Sequence, residues 1–145
     1  MKHRPIFVVD FDLTLTTSEK DFPRIGPENP YAISVLKKAK EAGYYVVLST
    51  MREYGQGLQS ALGWLTDRDF YPDAANDYPP GVREAWNNFV SRKVTGEIIV
   101  DDHNAMIPLK QNSDTGESFV DWEELKDYLY LKGIKGPFEM YSKEG

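Results

Sequence analysis

Ile6-Phe7-Val8-Val9-Asp10-Phe11-Asp12-Leu13-Thr14-Leu15-Thr16 is the stretch from which the rest of the chain is read. Four apolar residues in a row, without polar alternation, predict a short strand buried on both faces. The abrupt change to Asp10 and Asp12 predicts that the carboxyl end of this strand, Ile6 to Asp10, meets a polar site. The same layout recurs twice. Tyr44 to Leu48 reads as a strand that ends in Ser49-Thr50, followed by Arg52, and Glu97 to Val100 reads as a strand that ends in Asp101-Asp102.

Helical patterns fill the intervals. Ala32, Val35, Leu36 and Ala39 lie on one helical face, with Asn29 before Pro30 as the expected N-cap and Gly43 as the stop. Further helices are expected from about Gln56 to Leu65 and from about Val82 to Val90. Tyr71-Pro72-Asp73 and Tyr78-Pro79-Pro80-Gly81 between them read as loop. A closing helix is expected over Glu123 to Leu131, capped by Asp121, with Leu125, Tyr128 and Leu129 facing inward. Tyr44, Tyr45, Trp64, Trp86 and Trp122 read as packing residues. The tail from Gly133 to Gly145 has no periodicity and is expected to pack loosely.

Strands alternating with helices predict an α/β fold around a parallel sheet, with ligands bound beyond the carboxyl ends of the strands. A chain of 145 residues, 41% of them hydrophobic, has the size of a single domain, 1–145. The apolar runs are too short for a membrane span or a signal peptide, so a soluble cytoplasmic protein is expected. The absence of cysteine removes disulfides and thiolate metal sites, leaving oxygen ligands or the two histidines. A net charge of −6 disfavours nucleic acid and anionic membrane as partners.

Three strands ending in acids or hydroxyls bring Asp10, Asp12, Thr50, Asp101 and Asp102 towards one place. Such carboxylates repel one another unless a hard cation sits among their oxygens, and magnesium is the expected one. A phosphate among these anions calls for a nearby cation, and Lys93, at the entry to the third strand, is the first candidate, with Arg92 its competitor. Arg52 divides evenly between a contact to phosphate or leaving group and a surface position. Asp102 reads as a ligand or as an N-cap, His103 as a loop residue beside the acidic pair, and Asn76 and Asp77 as turn residues or as lining of the site.

These residues resemble the motifs of the haloacid dehalogenase superfamily of phosphatases. Asp10-Phe11-Asp12-Leu13-Thr14-Leu15-Thr16 is similar to its first motif, Thr50 to its second, and Lys93 with Asp101-Asp102 to its third and fourth. The resemblance implies a three-layer α/β/α Rossmann-like fold and a magnesium-dependent phosphomonoesterase. In it Asp10 would attack phosphorus to form an aspartyl phosphate, and Asp12 would serve as general acid and then general base. Thr50 and Lys93 would hold the phosphoryl oxygens, and magnesium would be bound by Asp10, the Asp12 carbonyl and Asp101, with Asp102 close by. An acid at position 12 separates phosphatases of the superfamily from its dehalogenases and ion pumps.

Neither Thr16 to Pro30 nor Arg52 to Arg92 has room for a cap domain of about 50 residues, so an open, capless site is expected. Capless relatives act on large substrates or close the site by oligomerising. The chain is also similar to short bacterial and phage proteins of the superfamily, sharing Ile25-Gly26-Pro27 and Val120-Asp121-Trp122-Glu123-Glu124. Two alternatives stand beside a small phosphorylated substrate: a phosphatase of nucleotides or exposed nucleic-acid ends, and a non-catalytic module that binds a phosphorylated ligand.

Overall fold

The chain was analysed as a computed structural model, which describes residues 4–53, 55, 57–82 and 96–142. Ile6–Val9 forms β1, Ala32–Glu41 α1, Tyr45–Leu48 β2, Leu58–Asp67 α2, Ala74–Ala75 β3 and Ile98–Val100 β4. These strands make one parallel sheet in the order β3-β2-β1-β4. β1 is central because it has no polar side chain, and all four of its residues are buried. Phe7 and Val9 pack on one face against Val35, Leu36, Leu65 and Trp122, and Ile6 and Val8 on the other against Val47, Tyr78 and Val82. Each such buried side chain contributes about 2 kcal/mol.

Beyond the sheet, Leu109–Gln111 (β5) and Ser118–Val120 (β6) form an antiparallel hairpin that the sequence pattern does not announce. Its first strand is exposed throughout, so no alternation marks it. Asn112 supplies the turn, its Oδ1 accepting from the Asp114 and Thr115 amides. Trp122–Leu129 is α3, followed by a 3₁₀ turn over Tyr130–Lys132. Among the described residues no helix is long and apolar enough to cross a membrane.

Asp121 caps α3 as expected, its carboxylate accepting from the Glu124 amide. Four expectations need correction. Asn29 does not cap α1: its side chain turns inward, and the helix begins after Tyr31, with no side-chain cap. Tyr128 does not face inward, because Trp122, Leu125 and Leu129 already supply the buried stripe, and its hydroxyl donates to Glu124 at the surface. The presumed loop after α2 contains β3, a two-residue strand, with the Asp73 carboxylate accepting from the Val46 amide beside it. The tail is fastened: Ile134 is fully buried, the Tyr31 amide donates to the Met140 carbonyl, and Ser142 donates twice to Glu28. The helix expected to Val90, with Trp86, lies outside the described residues beyond Val82.

Candidate active site

Register brings the first acids together. Val9 pairs with Leu48 on β2 and with Val100 on β4, so the next residues, Asp10, Ser49 and Asp101, emerge level at one edge of the sheet. The Asp10 amide donates to the Val100 carbonyl at 2.9 Å and the Ser49 amide to the Val9 carbonyl at 2.8 Å, carrying the pairing into the site. The strand order reverses direction between β1 and β4, which is where an open parallel sheet leaves a crevice for a ligand.

Thr14 ties the two acidic strand ends to each other. Its buried hydroxyl donates to Asp10 Oδ2 at 3.3 Å and accepts from the Asp102 amide at 3.2 Å. Three donors hold the loop that carries it: Asn29 Nδ2 and Trp122 Nε1 both donate to the Thr14 carbonyl, and the Val120 amide donates to the Leu13 carbonyl. Thr16 Oγ1 accepts from the Leu13 amide, which fixes Leu13 in the left-handed region at φ 61°. Nothing in the spacing of Asn29 and Trp122 reveals this bracing, since their partners lie far away in sequence.

The acids strain one another electrostatically. Burial, then the adjoining carboxyl of Asp102 and the charge of Asp101, push Asp10 from 3.8 up to about 8. Asp102 is raised too, chiefly by burial. Its Oδ1 is buried and accepts no hydrogen bond among the described residues, although the His103 imidazole stands 3.6 Å away. Two carboxylates at this proximity need a proton or a cation between them. The ligand atoms of Asp101, Asp102 and His103 lie within 4.8 Å of one another. A donor set dominated by carboxylate oxygens, one of them buried without a partner among the described residues, suits a hard divalent cation, so the residues fit magnesium. His103 is exposed; its amide donates to Asp101 Oδ1 at 2.9 Å, and its ring Nδ1 stands 3.4 Å from the same oxygen.

Asp12 has a different partner. Arg52 Nε and Nη2 donate to its two carboxylate oxygens at 2.8 Å each, a bidentate fork. Arg52 is fully buried, with Nη1 donating to the carbonyls of Pro23 and Gly57 and the guanidinium between the rings of Phe11 and Phe22. It is therefore not a surface residue, and it stands inside the site against Asp12. Gly57 is required here, at φ 101°, because a Cβ on it would stand 2.6 Å from Arg52 Nη1.

Thr50 sits beyond β2 with its amide donating to Asn76 Oδ1 and its Oγ1 accepting from the Arg52 amide. Asn76 also donates to the Arg52 carbonyl, so it braces this loop. Lys93 and Arg92 lie outside the described residues. Glu19 adds to the acidic rim: partial burial and the charges of Asp12 and Asp102 raise its carboxyl. A cleft of about 720 Å³ between α1, the end of α2 and the tail, lined among others by Lys37, Arg68 and Tyr141, shares no residue with these acids.

No family model and no curated protein matches the chain. It is similar to the solved structure of a conserved protein coded by a locus of Bacteroides thetaiotaomicron. The two share 30% identity over 92% of this chain and 94% of the other, with a TM-score of 0.66.

Proposed function

Because the chain belongs to the family of that conserved Bacteroides thetaiotaomicron protein, described without an activity, we propose its function from its own side chains: a magnesium-dependent phosphomonoesterase of the haloacid dehalogenase type. The observation that carries this reading is the convergence of Asp10, Asp101 and Asp102 at the β1/β4 crevice, with a buried Asp102 oxygen that accepts no hydrogen bond among the described residues. The parallel sheet is compatible with the three-layer capless arrangement of that superfamily, and among the described residues the 17–31 segment carries no helix or strand.

Asp10, Asp101 and Asp102 would hold the magnesium ion, together with the Asp12 carbonyl. When bound it supplies charge neutralisation for the carboxylates and for the phosphoryl oxygens. Asp10, ionised, attacks phosphorus, and its Oδ–P bond forms as the ester P–O bond breaks. Thr14 orients Asp10 for this by donating to Oδ2. Asp12 gives a proton to the departing oxygen, then accepts one from the water that attacks the aspartyl phosphate. Both oxygens of Asp12 accept from Arg52 in the structure, so the proton step requires one of them to turn out of the fork. Thr50 and Lys93 are the proposed holders of the phosphoryl group. The acidic rim extended by Glu19 favours a small phosphorylated molecule over a nucleic-acid end.

The Arg52 fork also supports a second reading. A buried guanidinium needs a carboxylate whether or not chemistry follows, so a non-catalytic module that binds a phosphorylated ligand would have a use for Asp12 as well. Hydrolysis of an aryl phosphate, assayed with magnesium and with chelator, separates the two. The phosphatase reading expects turnover only with magnesium and its loss in Asp10→Asn. Binding of phosphate without turnover supports the module, and turnover that survives chelator or Asp10→Asn contradicts the mechanism.

A further inference from the structure

One aromatic ring at the site is only half used in packing. Phe22 is 50% exposed, although it sits on the guanidinium that holds Asp12, with Arg52 Cζ 4.8 Å from its ring centroid. The same guanidinium also meets the ring of the fully buried Phe11, 5.2 Å from its centroid. Arg52 thus covers one face of Phe22, and the half-exposed ring turns the rest to solvent. The ring is held in place: the Phe22 amide donates to the Glu19 carbonyl, the Arg24 amide to the Asp21 carbonyl, and the Pro23 carbonyl accepts from Arg52. Ser18 and Glu19 anchor the same loop to Glu117 on the hairpin.

Resting on the phosphatase reading, we infer that Phe22 is the platform for the leaving group, and that the substrate is a phosphomonoester carrying an aromatic ring close to its ester oxygen. Asp12 is the group that meets the departing oxygen, so the body of the leaving group lies on the side of Asp12, where Arg52 and Phe22 are. Four of the five Arg52 N–H groups are engaged by Asp12, Pro23 and Gly57, so the guanidinium offers a leaving group its flat face and ring neighbours more than its donors. A flat ring gains contact with the exposed part of Phe22.

Benzyl phosphate and glycerol phosphate test this, because their alcohols leave with comparable difficulty and only one carries a ring. With magnesium, kcat/KM for benzyl phosphate is expected to exceed that for glycerol phosphate by about tenfold. Phe22→Ala is expected to bring the ratio close to one, Phe22→Leu to reduce it in part, and Phe22→Tyr to keep it. A merely structural role, acting through the placement of Arg52, would lower both substrates together and leave the ratio unchanged. An unchanged ratio in Phe22→Ala, or no preference in the unmodified chain, overturns the inference and leaves the phosphatase reading standing. Hydrolysis of neither ester with magnesium overturns that reading, and the inference falls with it.

Discussion

At the scale of single residues, a proton on Asp10 and a divalent cation are alternative answers to the same electrostatic problem. Asp10 is raised from 3.8 to about 8, first by burial and then by Asp102 and Asp101. A group that holds its proton more tightly folded than unfolded favours the fold at low pH. That contribution is complete below 3.8 and is lost as pH rises through about 8. In chelator, the urea midpoint should therefore fall between about pH 5 and about pH 8. Magnesium should restore it at the upper end, and Asp10→Asn should flatten the dependence; a flat profile in the unmodified chain contradicts the arrangement. Arg52 makes the second prediction. Arg52→Ala leaves Asp12 without its fork and opens space under Phe22, and should cost on the order of 3 kcal/mol in urea unfolding. Arg52→Lys cannot rebuild a two-pronged contact and should recover only part of that loss. The carboxylates of this site were legible from Asp10, Asp12, Asp101 and Asp102 alone. The fork was not, because whether an arginine after a strand turns to solvent or inward depends on Pro23, Gly57 and two rings brought in by other segments.

At the scale of elements, the loop after β1 is set by groups from the rest of the chain rather than by its own sequence. Asn29 Nδ2 donates to the carbonyls of both Thr14 and Val120 in a buried place. Asn29→Leu removes both bonds and should destabilise by about 2 kcal/mol, and it should lower kcat by loosening Thr14, which orients Asp10. Equal stability and activity in that variant would show that the brace is idle. The reading of Asn29 as a cap failed because a capping residue and a buried amide look alike in sequence, and only the two distant carbonyls decide between them. Gly26 shows the reverse case. A Cβ there would stand 2.2 Å from the Ser18 carbonyl oxygen, so the Ile25-Gly26-Pro27 stretch records a close crossing of two backbone segments. Strands β1, β2 and β4 were legible as unbroken apolar runs. Strands β3, β5 and β6 were not, being two or three residues long and mostly unburied.

At the scale of the whole molecule, the tail closes the apolar layer beside α1 and α3. Ile134 joins the same core cluster as Phe7, Leu36 and Trp122, so Ile134→Ala should cost about 2–4 kcal/mol in urea unfolding. A smaller effect than about 1 kcal/mol would mean that the tail is dispensable. Its lack of periodicity hid this role, because a strap fastened by backbone hydrogen bonds and one isoleucine has no repeating pattern to detect. Parallel order β3-β2-β1-β4 then puts every chemically useful strand end on one edge, with the crevice at Asp10. Phosphorylation of Asp10 is what the proposed chemistry stands on, and borohydride trapping during turnover with magnesium detects it. Quenched protein, reduced and examined by peptide mass spectrometry, should carry homoserine at position 10, only when substrate and magnesium are both present, with Asp12 unaltered. Continued hydrolysis with Asp10 unmodified, or trapping at a different carboxylate, would contradict the account.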